Sequence, residues 1–300
     1  MAGLELIFAD EACARALADE ALLAAMARFE AALARAGASA ALVTQADAEA
    51  IATACTEFRP DAAALARAAR KAGALAIPFV EELRKHTGAR SASAASALHA
   101  GATSQDVVDT AMVLCLRPAC ERIAALTVRL GDAAAVIARR HQATPSAGRT
   151  LLQPALPMPF GYKAAIWLST LARALPAFRR AVDGACVLQF GGPAGTLSSF
   201  GEQAAAVEAA LARELGLALP AAPWHSARDG LARLGAEAAI LAGAAGKIAR
   251  DVSLLMQPEV GEAAEAAPGG SSSMAHKRNP ARSLLALEAA LRAPGLVATL

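Results

Sequence analysis

Aromatic residues are scarce in this 300-residue chain, with eight Phe, two Trp and one Tyr making up 4% of it. So little ring surface argues against a platform for stacking nucleic-acid bases. Charge of one sign is also lacking: 29 Lys plus Arg face 27 Asp plus Glu, a formal net charge of +2. The concentrated basic field that non-specific nucleic-acid binding requires is therefore missing. Cys13, Cys55, Cys115, Cys120 and Cys186 are odd in number and lack the paired C-x2-C spacing of a zinc site. They read as reduced thiols of a cytoplasmic protein, and no residue cluster suggests a metal. The start, MAGLELIFADEACARALADE, has no basic stretch followed by an apolar core and a small-residue cleavage site, so no secretory signal is expected. Hydrophobic residues reach 56%, but alanine supplies much of that figure, and charges interrupt every long apolar run before it could span a bilayer. No membrane segment is expected.

What is present is helix-forming sequence, long enough to bury a substantial core. Alanine-rich, proline-poor tracts dominate, and alternating strand patterns bounded by Asn-Gly or Asp-Gly turns are rare, so the fold class is all-α or nearly so. In the tract 231–256, Leu234, Ala238, Leu241, Ala245, Ile248, Val252 and Leu255 recur at alternating steps of four and three, a heptad seam. Gly235, Gly243 and Gly246 would weaken an isolated helix but allow close approach inside a bundle. Further helices are expected over 11–37, 106–140, 160–182, 202–215 and 281–291. Four polar or glycine-rich islands separate them, at 99–106, 145–159, 189–201 and 265–280, and loops between long helices are where a rigid bundle displays chemistry.

The last island, EAAPGGSSSMAHKRNP, has the parts of an anion-wrapping loop. Gly269 and Gly270 permit close backbone approach, three serines follow, and Lys277 with the Asn279 amide can stabilise a developing carboxylate before Pro280 ends the loop. Read as GSSSMAHKRNP, it resembles the signature loop of the fumarase/aspartase superfamily, Gly-Ser-Ser-x-Met-Pro-x-Lys-x-Asn-Pro. Ala275 stands where the family has proline, which removes a preset φ. GATSQDVVDTA at 101–111 and GRTLLQPALP at 148–157 resemble the superfamily's two other motifs, in the same order.

That resemblance implies a long helical bundle with a small N-terminal helical domain, drawn here as residues 1–95, and a central bundle domain, 96–300. Family chains usually continue past the helix that follows the signature loop. With the sequence ending at Leu300, the C-terminal domain is expected to be absent and the bundle incomplete. The resemblance further implies a homotetramer with each active site built from three subunits.

The second motif separates branches of the superfamily. Lyases acting on adenylosuccinate, argininosuccinate or fumarate usually carry histidine after Gly-Arg-Thr, whereas Leu151 stands here and cannot exchange a proton. The branch that lactonises 3-carboxy-cis,cis-muconate likewise has an apolar residue there. It also carries stretches similar to LQFGGPAGTL (188–197), PWHSARD (223–229) and DVSLLMQPEVGE (251–262). The implied activity is a cofactor-free cycloisomerisation of a small tricarboxylate through an aci-carboxylate, in the breakdown of aromatic acids through protocatechuate. The alternatives are an adenylosuccinate-type lyase, a cycloisomerase for a sulfonated muconate, and a non-catalytic member that keeps only the assembly surface.

Carried over from the family loop, Ser271 is the expected proton-transfer residue, with Lys277 and Asn279 as its carboxylate-binding partners and Arg282 as added positive potential. An ordinary serine is a poor base, so this role requires N–H groups or cations around its oxygen. His141 is expected as the second acid or base. Thr103, Ser104 and Gln105 are expected to hold carboxylate oxygens, while Asp106 and Asp109 suit a helix start. Arg149 can grip a carboxylate bidentately, with Gln153 nearby, and His99 is a further substrate-site candidate.

Overall fold

The computed structural model describes residues 7–300. Residues 1–6, which begin the stretch read above for a secretory signal, lie outside the described residues. In chain order the elements are α1 (Glu11–Ala16), α2 (Asp19–Ser39), α3 (Gln45–Glu57), α4 (Ala62–Ala72), α5 (Ala76–Gly88), α6 (Ala92–Ala97) and α7 (Ser104–Arg140). There follow β1 (Pro145–Thr150), β2 (Gln153–Pro159), α8 (Phe160–Ala185), a 3-10 turn (Ser198–Gln203), α9 (Ala204–Leu215), α10 (Asp229–Leu255) and α11 (Ala281–Val297). They pack as two compact units, Met1–Cys120 with Asp183–Arg228, and Glu121–Val182 with Asp229–Leu300. The fold is helical, as expected, except for one hairpin. No helix among the described residues is long and apolar enough to cross a membrane.

In the first unit, side-chain caps set the starts of α1, α3, α4 and α6. Asp10 accepts the N–H groups of Ala12 and Cys13, Thr44 that of Asp47, Asp61 those of Ala63 and Ala64, and Ser91 that of Ala94. The single helix expected over 11–37 is two, because Ala18 turns extended (ψ 156°) and Asp19 and Glu20 place negative charge on a new N-terminal turn. Met26, Phe29, Ile51, Phe79, Leu83, Phe190 and Leu211 are fully buried and form the core. Phe190 meets Phe29 edge-on at 6.4 Å.

In the second unit, the heptad seam is the buried stripe of α10: Leu234, Leu241, Ile248 and Leu255, seven residues apart, are all buried. Ile248 and Leu255 pack in one cluster with Trp167 and Leu171 of α8. At Gly246 a Cβ would lie 2.3 Å from that of Ala290, so α10 and α11 approach more closely there than a side chain allows. The helix expected to end near 291 runs to Val297 through Pro294. Val297 and Leu300 pack beside Gly235, Leu300 Cδ1 lying 2.4 Å from where a Cβ on that glycine would stand.

The island 145–159 is an antiparallel hairpin with Thr150 opposite Gln153. Its turn residues, Leu151 (φ 48°) and Leu152 (φ 66°), both sit in the left-handed region usually given to Asn-Gly. That substitution is why the sequence carries no hairpin signal.

Candidate functional site

The signature loop hangs from α11 in the second unit, closed at its neck by paired main-chain bonds. Gly269 N–H donates to Asn279 O and Asn279 N–H to Gly269 O, each at 2.8 Å, and the Asn279 amide donates to Gly270 O at 2.8 Å. Beyond the neck, Glu265 accepts from Arg282 N–H (3.3 Å) and from the N–H and hydroxyl of Ser283 (2.9 and 2.8 Å), which caps α11. Burial alone would raise the Glu265 pKa, but these bonds and the Arg282 charge hold it below its ordinary value. Inside the loop, Ser271 Oγ accepts the N–H groups of Met274 (3.1 Å) and Ser273 (3.4 Å). Two main-chain N–H groups thus converge on one hydroxyl oxygen. Residues 272–278, including Lys277, are exposed.

The second motif lies on the hairpin. Arg149 does not stand free: its Nη2 donates to Glu262 Oε1 at 2.7 Å, while Glu262 Oε2 takes Ser146 Oγ (3.0 Å) and Lys163 Nζ (3.2 Å). One anion is thereby shared by two cations, leaving the cluster net positive. The other terminal nitrogen, Arg149 Nη1, is buried with no hydrogen-bond partner among the described residues. Gln153 is exposed at the start of β2. His141 Nδ1 lies 3.1 Å from Thr144 Oγ1, its ring edge-on to Phe160 at 5.7 Å. His141, Ser146, Phe160, Trp167 and Glu262 line one cavity of about 430 Å³. A second, of about 570 Å³, is lined by Arg149, Lys163 and Lys247 with Leu151 and Leu152. No hydrogen bond or ion pair among the described residues links Ser271, Lys277, Asn279 or Arg282 to His141, Arg149 or Gln153.

The Arg149 hydrogen bond is the main reason the Glu262 carboxyl is held down to about 2; Ser146 and Lys163 add to it, against the effect of burial. A carboxylate lowered from 4.5 contributes stability that is complete above that value and fades as pH falls toward 2. Urea-unfolding midpoints of the native and Glu262→Gln chains should therefore differ near neutral pH, with the native chain higher. They should converge as acid protonates Glu262, and a gap independent of pH would contradict the pairing.

The first motif lies in the first unit, at the start of α7. Asp106 lies in the first turn of α7, as expected, and its Oδ2 takes Thr103 N–H at 3.0 Å. It also gathers the glycine-rich island: Gly191 N–H (3.0 Å), Gly192 N–H (2.9 Å), Gln189 Nε2 (3.1 Å) and His225 Nε2 (3.2 Å) all reach the same fully buried carboxylate. Gln105 Nε2 donates to His225 O at 2.7 Å, so its amide nitrogen is engaged within the chain. Asp109 holds Arg228 bidentately (2.6 and 3.0 Å), with the guanidinium 5.0 Å over Trp224. Thr103 and Ser104 are half-buried. His99 contacts Glu30, a residue the motif reading did not reach. A charged residue among Met26, Phe29 and Leu33 on the buried face of α2 was the available signal. Lys163 had no local signal, and Glu262 entered the reading only as the last residue of the stretch 251–262, with no role given to it.

Comparison with known proteins follows the same lines. The sequence model of the lyase family matches residues 8–295. A 3-carboxy-cis,cis-muconate cycloisomerase of Bradyrhizobium diazoefficiens is 49% identical over 285 residues, 94% of this chain and 63% of that protein. A nitrosuccinate lyase of Streptomyces davaonensis is 43% identical over 299 residues, 95% of this chain and 62% of that protein. Among solved structures, a 3-carboxy-cis,cis-muconate lactonizing enzyme of Pseudomonas putida superposes with a TM-score of 0.92 at 41% identity, covering 99% of this chain and 66% of that one. The chain thus spans just under two thirds of the length of these relatives.

Proposed function

This chain belongs to the lyase family, and we propose that it acts as a cycloisomerase that lactonises 3-carboxy-cis,cis-muconate to 4-carboxymuconolactone. The observation that carries the reading is the pair of N–H groups on Ser271 Oγ. In the reaction, one substrate carboxylate adds to the carbon bearing the 3-carboxyl group while the adjacent carbon, alpha to another carboxylate, takes a proton. One C–O and one C–H bond form and one C=C π bond is lost, so atoms and electrons balance with no oxidant or cofactor. The electron pair rests briefly on the alpha carboxylate as an aci-carboxylate, which fixed positive groups stabilise.

Ser271 gives its proton to carbon, and the alkoxide left behind is held by the Met274 and Ser273 N–H groups until solvent reprotonates it. Lys277, Asn279 and Arg282 supply positive and amide contacts to the substrate carboxylates. His141 is the second acid or base. His99, Thr103, Ser104, Gln105, Arg149 and Gln153 complete the substrate contacts, in a cytoplasmic homotetramer that draws the three motifs from different subunits. For Arg149 the role is shared with Glu262, so it contributes the net charge of its cluster. Similarity to the B. diazoefficiens cycloisomerase and Leu151 in place of a titrating side chain support this choice of reaction.

The similarity to a nitrosuccinate lyase favours, as second reading, β-elimination from a nitrogen-bearing succinate. The test offers both substrates to the purified chain, following loss of diene absorbance for the first and nitrite release for the second. Diene loss alone is expected. Nitrite release without diene loss would replace the first reading by the second.

A further inference from the structure

Glu30 lies on the core face of α2, and its side chain is fully buried. A carboxylate placed there without a partner would be strongly destabilising. Oε1 has one partner, His99 Nδ1 at 2.6 Å, and Oε2 is buried with no hydrogen bond from the described residues. His99 is itself only 16% exposed and holds a strained backbone (φ 62°) that the left-handed region rarely grants to a non-glycine residue. Its surroundings fix that conformation. Arg84 donates to Ala95 O (3.3 Å) and Leu98 O (3.2 Å) just before it, and Phe200 fills the space beside Gly101 just after it, 2.5 Å from where a Cβ would stand.

Building on the substrate-contact role proposed above for His99, we propose that Glu30 is its positioning residue. It holds Nδ1 and leaves Nε2 as the ring nitrogen available to a substrate carboxylate. With Glu30 Oε1 as the acceptor, Nδ1 carries the shared proton, and a second proton on Nε2 would make the imidazole a cation. The charged groups facing the ring are Glu30 from α2, Arg84 from α5 and Asp106 from α7. Burial lowers the His99 pKa and Arg84 opposes its charge, but the Glu30 bond and charge, with Asp106, raise it above its ordinary value. The neighbouring Cys55 thiol of α3 is pushed up to about 12, first by burial and then by the Glu30 charge, although Arg35 opposes this. A trianionic substrate would then meet a ring whose protonated form is favoured by a carboxylate that solvent does not reach.

The test combines 15N titration of His99 with steady-state kinetics on 3-carboxy-cis,cis-muconate for the native chain, Glu30→Gln, Glu30→Asp, His99→Gln and the double variant Glu30→Gln/His99→Gln. In the native chain His99 should titrate above the ordinary histidine value. In Glu30→Gln it should titrate lower than in the native chain, with KM raised about tenfold near neutral pH and kcat changed much less. Glu30→Asp keeps the charge and should fall between. Adding Glu30→Gln to His99→Gln should cost nothing more.

A native His99 that titrates at or below the ordinary value overturns the proposal without any variant having to fold. So does a Glu30→Gln penalty as large in the His99→Gln chain as in the native one, which would mark a merely structural role. If His99→Gln leaves KM unaltered, the substrate-contact reading fails. If it raises KM and Glu30→Gln does not, the Glu30 proposal fails alone.

Discussion

Ser271→Ala should lower kcat on 3-carboxy-cis,cis-muconate by about 10³-fold or more, within the range that general acid–base groups contribute, and leave the fold intact. The hydroxyl accepts two N–H groups in a loop whose closing bonds are made elsewhere, by Gly269, Gly270 and Asn279. Removing it leaves the Met274 and Ser273 N–H groups near water, since both residues are exposed, and should change unfolding free energy by no more than about 0.5 kcal/mol. Stability and activity therefore separate. A variant that retains turnover removes Ser271 from the chemistry, and one that unfolds readily assigns it to the loop.

Asp106→Ala should have the opposite signature, a loss of about 3–5 kcal/mol in unfolding free energy measured by urea titration. Five donors from three separated stretches meet this one carboxylate: Thr103; Gln189, Gly191 and Gly192; and His225. Removing it strands main-chain N–H groups of buried residues, where desolvation without a partner is at its most costly. Asp106→Asn should be nearly as damaging, because its NH2 group would face donors instead of accepting from them. A loss below about 1 kcal/mol for either variant would mean that other acceptors or water replace the carboxylate.

Legibility from sequence follows the range of the interactions. The seam of α10 could be read because burial on one face of a helix repeats every seven residues, and Leu234, Leu241, Ile248 and Leu255 obey that period. The place of Asp106 in the first turn of α7 could be read because an acidic residue suits a helix N-terminus, and the bond it makes there, from Thr103 N–H, spans three residues. The rest of the Asp106 network could not, because its other donors lie 83 to 119 residues along the chain. The same holds for Arg149 with Glu262, 113 residues apart, where the sequence shows an arginine ready for substrate and the structure gives it a partner. The hairpin escaped because leucines occupy its turn. The two packing units escaped a linear reading because each joins two separated stretches of chain. The signature loop announces its chemistry through glycine, serine and lysine, but the Ser271 cradle depends on how residues 271–274 turn, which residue types alone do not dictate.

The account rests on proton delivery to carbon coupled to ring closure, and carrying out the reaction in D2O tests that most directly. Incubation of the native chain with 3-carboxy-cis,cis-muconate, followed by NMR of the product, should show 4-carboxymuconolactone with one solvent-derived deuterium on the acetate side-chain carbon. Lactone without deuterium at that carbon, or no lactone from a folded chain, would contradict it.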